Sequence, residues 1–233
     1  MKKSGKFLAI GLSIIVLLII VVMLLPEDEV IINEGTDTYT LMIYMCASDL
    51  ESDGGYATND ISEMLNATVD EKINLIIETG GTEEWQNYGI SNETNQIYKI
   101  ENNELKLIKD DLGIKEMTKP ETLTEFIQYC KSEYPADKYG LILWDHGGGA
   151  VSGFGYDEHS KNEEDTLTID KLKKALKESE TKFEFIGFDA CLMANIETAY
   201  SIIDYAKYVI ASEETEPGTG GEYKSFLNKM SKN

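Results

Sequence analysis

The chain has 233 residues, 42 of them acidic and 21 basic, for a formal net charge of −21, and every basic residue is a lysine. That length accommodates one domain with a proper core rather than two. The charge excludes recruitment by nucleic acid, whose phosphates attract lysine and arginine. Cys46, Cys130 and Cys191 are far apart and odd in number, which excludes a disulfide framework, and no C-x-x-C pair points to zinc.

The chain opens on "MKKSGK", followed by 19 residues without a charge, Phe7 to Leu25. As a helix they span roughly 28 Å, one hydrocarbon core. The run ends in "PEDE", with no small-residue exit of the kind a cleaved signal peptide carries. The expectation is a retained anchor in the cell membrane. Residues 1–6, with Lys2, Lys3 and Lys6, stay cytoplasmic, residues 7–25 cross once, and the remainder is extracellular. Residues 26–38 read as an acidic linker and 39–233 as the folded domain.

In that domain "YTLMIYMC" (39–46) is an apolar strand running into a polar loop. Tyr56 to Ala67 has helical spacing through Ile61, Met64 and Leu65. "INLIIE" (73–78) is a second buried strand, and "NQIYKI" and "ELKLIK" alternate with period two as a hairpin. "PETLTEFIQYCKSEYP" is a helix begun and ended by proline. Then come a strand (139–145), a helix (167–180), a strand (183–189), a helix (192–206) and a last strand (208–212). Strands alternating with helices predict an α/β fold, a mainly parallel sheet with helices on both faces. "CASDLES", "DHGGG", "DACLM" and "SEETEPGTGG" each follow a strand, so they share the carboxyl edge where open α/β sheets place their sites.

Two residues on that rim suit acyl transfer. A Cys191 thiolate can attack a carbonyl, and His146 can take its proton or protonate the leaving group. Main-chain N–H groups around Gly147, Gly148 and Cys191 can cradle an oxyanion, since glycine lets the backbone approach closely. Spacing alone leaves the alternative open, that the glycines only turn the chain and Cys191 packs beneath them. There is no G-x-S-x-G elbow, H-E-x-x-H pair or phosphate loop. His159, in "GYDEHSKNEED", reads as a solvated surface residue. Asp49, Glu51, Asp53 and Asp60 fall at positions of a calcium-loop count, although a strand precedes this loop where an EF-hand has a helix.

"LILWDHGGG" and "GFDACLMANIETAY", with "LMIYMCASDLE" before and "YVIASEETEPGTG" after, resemble in order the blocks of the clostripain family of cysteine peptidases. The resemblance runs from about Tyr39 to Tyr223. It implies a caspase-like fold and, taken with the expected anchor, a membrane-tethered endopeptidase with His146 as general acid/base and Cys191 as nucleophile. The N–H groups of Gly147 and Cys191 would form the oxyanion hole. Asp189 would match the family's acidic determinant of the specificity pocket, implying peptide or protein substrates cut after Arg or Lys; the alternative is a carboxylate capping the next helix. Family members are often zymogens that cut themselves after the histidine block, which makes Lys161–Asn162 the candidate bond and an ordinary surface lysine the alternative. The chemistry requires no cofactor, though some relatives depend on calcium. Relatives usually continue past the point where this chain stops, and the expected tryptophan after "EPGTG" is replaced by Gly221-Glu222-Tyr223. The domain is therefore expected to lack the family's C-terminal part, and the rival function is a tethered domain that binds basic peptides without cutting them.

Overall fold

The computed structural model describes residues 37–162 and 165–232. The expected span Phe7–Leu25, the cytoplasmic segment before it and most of the linker lie outside the described residues. Among the described residues no helix is long and apolar enough to cross a membrane.

The strands are β1 (Tyr39–Cys46), β2 (Ile73–Gly80), β3 (Gln96–Glu101), β4 (Glu104–Lys109), β5 (Lys138–Trp144), β6 (Phe183–Asp189) and β7 (Ala206–Ile210). They form one sheet in the order β4-β3-β2-β1-β5-β6-β7. β2, β1, β5, β6 and β7 run parallel, and β3 and β4 add an antiparallel hairpin at one edge. The helices are α1 (Ser48–Ser52), α2 (Tyr56–Leu65), α3 (Pro120–Glu133), α4 (Gly149–Ser152), α5 (Ile169–Glu178), α6 (Ile196–Ile202) and α7 (Tyr223–Met230).

The central strand explains the layering. From Leu41 to Cys46 no side chain of β1 reaches solvent. Met42, Tyr44 and Cys46 enter one core with residues of α3 and α5, while Leu41, Ile43 and Met45 enter a second with residues of α2 and α7. A strand covered on both faces needs this unbroken apolar run rather than an alternating one. Helices on both faces of a mainly parallel sheet are thus as expected.

Four local details differ from the sequence expectation. The helix expected over 192–206 begins only at Ile196, because Leu192 adopts φ 64° and Asn195 caps the helix by accepting from Thr198 N–H at 2.8 Å. The last strand correspondingly occupies 206–210. The loop after β1 contains the short helix α1, and α7 was not foreseen; its cap is Glu222, which accepts from Ser225 N–H at 2.9 Å. β7 forms the outer edge of the sheet, where Tyr208 and Ile210 are exposed.

Candidate active site

The register of the parallel strands fixes what meets at the carboxyl edge. Trp144 pairs with Met45 on one side and Asp189 on the other, and Asp145 N–H donates to the Asp189 carbonyl at 3.2 Å. Just beyond, Gly147 lies against the main chain of Cys191. A Cβ built on it would stand 3.0 Å from both the amide nitrogen and carbonyl carbon of Cys191, and closer still to its oxygen. The two loops that carry His146 and Cys191 are therefore in backbone contact.

The end of β5 is braced before the imidazole emerges. Trp144 is buried and donates from Nε1 to Asp60 Oδ2 at 2.7 Å. Asp145 is buried and accepts from Ser48 Oγ and Tyr156 N–H, both at 2.6 Å; burial pushes its carboxyl up to about 7. His146 is half-exposed, with Nε2 2.7 Å from Asp49 Oδ1 at the start of α1. With the Nε2 proton donated to Asp49, the neutral ring presents Nδ1 as its basic nitrogen. Successive residues of α1, Ser48 and Asp49, thus hold successive residues after β5.

The glycine run folds back on itself. Gly148 N–H donates to Gly153 O at 2.8 Å and Gly155 N–H to His146 O at 2.9 Å, flanking an antiparallel bridge between Gly147 and Phe154. In such a bridge the central pair makes no hydrogen bonds, so the Gly147 N–H points away from Phe154. Neither it nor the Cys191 N–H is bonded to a main-chain acceptor among the described residues.

Cys191 is half-buried at a tight turn. Its sulfur accepts from Glu216 N–H at 3.2 Å. Leu192 N–H donates to Glu214 O at 3.0 Å and Ala194 N–H to Ser212 O at 2.8 Å, fastening this turn to the loop after β7. Cys46 and Cys130 are buried, and burial pushes both thiols well above their ordinary value; neither suits a nucleophile.

A cavity of about 250 Å³ is walled by Ile142, Phe185, Tyr223 and Phe226 and lined as well by Asp189, two residues before Cys191, and by Glu216. Asp189 Oδ1 accepts from Gly221 N–H at 3.0 Å. Its Oδ2 is buried beside the Tyr223 hydroxyl, whose hydrogen bond works against the effect of burial on the carboxyl, and Glu216 Oε2 is buried without a hydrogen-bond partner. Burial pushes both carboxyls up, and the neighbouring Asp189 adds to the shift of Glu216. The capping role is filled by Asn195, not Asp189.

Other residues singled out in the sequence are dispersed. Asp49 is engaged with His146. Glu51 is buried and accepts from Thr58 N–H and Gln86 N–H, both at 2.8 Å; Asp60 is taken by Trp144; Asp53 is exposed beyond α1. The structure does not bring these four together, because the strand leads into a helix that points them in different directions. Among the described residues no group of three or more His, Cys, Asp or Glu could hold a metal ion.

Lys161 is exposed in a loop pinned on both sides. Upstream, Asp157 accepts from Met117 N–H at 2.6 Å and Glu158 from Glu83 N–H at 2.7 Å. Downstream, Asp165 pairs with Lys119 and Lys171. His159 is part of this anchoring rather than freely solvated, its Nε2 donating to Asn92 O at 2.9 Å. The contacts of Asp49 with His146 and of Glu216 with the pocket carry no sequence signal of their own, although both residues stand in strand-end blocks, "CASDLES" and "SEETEPGTGG".

The family model of the clostripain family (peptidase C11) matches residues 43–233. Clostripain of Hathewaya histolytica is 29% identical over 229 residues, covering 85% of this chain and 43% of clostripain. A secreted C11 cysteine protease from Bacteroides thetaiotaomicron, solved with an irreversible peptide inhibitor, has 25% identity and a TM-score of 0.66 over 82% of this chain and 53% of that one. An inactive zymogen C11 protease from Parabacteroides distasonis has 27% identity and a TM-score of 0.63, with 84% and 54% covered. The chain spans about half the length of these relatives. With the family model matched over most of its length, the chain belongs to the clostripain family.

Proposed function

We propose that the chain is a cysteine endopeptidase that cleaves after Lys or Arg. The observation that carries this reading is the backbone contact between Gly147 and Cys191, which seats an imidazole and a thiol on one rim with two main-chain donors beside them. His146 Nδ1 takes the thiol proton, and the sulfur attacks the scissile carbonyl carbon, forming the C–S bond. The oxyanion is received by the N–H groups of Gly147 and Cys191. His146 returns the proton to the amide nitrogen as the C–N bond breaks. A water then attacks the thioester, giving its proton to His146, and the acid leaves as the thiol is restored.

Asp189 supplies the preference for a cationic side chain, since a largely buried carboxylate gains from an opposite charge. Lys161–Asn162 is the proposed self-processing bond, exposed between its two anchors. The apolar run Phe7–Leu25 anchors the protein, with the domain outside the cell. The test is turnover of fluorogenic peptides ending in Lys or Arg by the purified chain, beside the Cys191→Ala variant. Turnover lost in the variant supports the reading. A folded chain that binds such peptides and leaves them intact would instead establish the binding-only alternative.

A further inference from the structure

We propose that Glu216 is a second specificity-determining residue, its carboxylate receiving the cationic side chain beside Asp189 while its main chain holds the nucleophile. This deepens the function proposed above and rests on it.

Three acidic residues line the cavity, Asp189, Glu216 and Glu222. Glu222 is occupied in capping α7. The other two each bury a carboxylate oxygen, that of Glu216 without a hydrogen-bond partner, between walls that are otherwise mostly apolar. Two carboxylates lining one mostly apolar cavity are costly, and no lysine of the described residues forms an ion pair with either. A cation with several N–H donors relieves both at once, and a planar guanidinium or amidinium reaches two carboxylates better than a compact ammonium does.

Glu216 also touches the reacting end. Its N–H donates to the Cys191 sulfur at 3.2 Å, and its carboxylate lies against the N–H of Ala190. A side chain seated on Glu216 is thereby measured off against the sulfur, which places the following carbonyl beside it. Specificity and alignment then reside in one residue.

Binding of benzamidine and of n-butylamine to the full chain carrying Cys191→Ala separates this inference from the catalytic one, because no turnover is needed. Glu216→Gln is expected to weaken benzamidine roughly 10-fold, the loss of one charge-assisted hydrogen bond, and to narrow its advantage over n-butylamine. Asp189→Asn should weaken both ligands, and Glu216→Asp, which keeps the charge on a shorter arm, should fall between wild type and Glu216→Gln. With Cys191 restored, Glu216→Gln should raise KM for Arg substrates more than it lowers kcat. Benzamidine affinity unchanged by Glu216→Gln and Glu216→Asp while Asp189→Asn abolishes it would overturn the proposal. Glu216-dependent binding by a chain without turnover would leave the proposal standing and remove the peptidase.

Discussion

Replacing Gly147 by alanine tests the central joint of the site. The added Cβ would lie 3.0 Å from the Cys191 nitrogen and carbonyl carbon and nearer to its oxygen, where ordinary contact begins at 3.4 Å. Every one of these obstacles is main chain, so no rotamer change relieves them. The loops cannot part freely either, since Asp145 N–H is bonded to Asp189 O just below. Overpacking of this kind costs about 1–3 kcal/mol, or a fall in melting temperature of roughly 2–12 °C for a domain this size. The loops must separate by roughly 1 Å, a misplacement that costs about 100-fold in rate. Circular dichroism melting and kcat/KM on a Lys peptide, measured together, read both effects. Gly89→Ala is the control: its Cβ meets nothing within 4 Å and only the backbone, at φ 65°, is strained. It should lose a little stability and no activity. Wild-type kcat/KM and melting in Gly147→Ala would refute the contact and the site built on it.

Asp49→Ala should lower kcat roughly 10- to 100-fold with KM little changed, the size of effect seen for carboxylates that orient a metal-ligating histidine. Its melting temperature should hold, because a half-exposed pair contributes at most about 1 kcal/mol; an unchanged kcat would dismiss the orienting role. Iodoacetamide on the folded protein should add to Cys191 alone, while Cys46 and Cys130, buried with raised thiols, react only after unfolding; intact mass decides. Glu78 and Asp60, each raised by burial to about 8, bind more protons folded than unfolded between about pH 4 and 8. Their contribution is therefore fully present below about pH 4 and is lost as pH rises through about 8, at up to about 1.4 kcal/mol per pH unit for each group. Urea titrations of Glu78→Gln across that window should show a slope shallower by about that amount, and curves parallel to wild type would contradict it.

The fold was largely legible because its signals are local. The unbroken apolar run of β1, the proline-bounded α3 and the period-two hairpin each announce themselves within a dozen residues. The errors have local causes as well. Leu192 and Met193 look helical in sequence, whereas Leu192 takes a left-handed backbone that only tertiary contacts hold, its N–H bound to Glu214 O. Helix α7 gives no periodic signal, because its buried residues, Tyr223 and Leu227, make one short stripe against α2.

The site was legible in part, and the division has a physical reason. His146, Gly147, Cys191 and Asp189 belong to strand ends, so the parallel topology alone puts them on one rim. What joins them is not written in any one segment. Asp49 and His146 stand 97 positions apart, and Trp144 and Asp60 84 apart. Sequence spacing read Asp49, Glu51, Asp53 and Asp60 as one loop of ligands, whereas the turn into α1 sends Asp49 to the histidine, Glu51 inward to Thr58 and Gln86, and Asp60 to the tryptophan. The same acidic stretch therefore serves three separate braces. His146 is held from the β1 side through Asp49, and the Cys191 sulfur from the β7 side through Glu216, with Gly147 as the main-chain joint between them. The separation of imidazole and sulfur is then set by loops on opposite sides of the two strands, and a cation drawn to Asp189 and Glu216 acts on the sulfur's side of that arrangement.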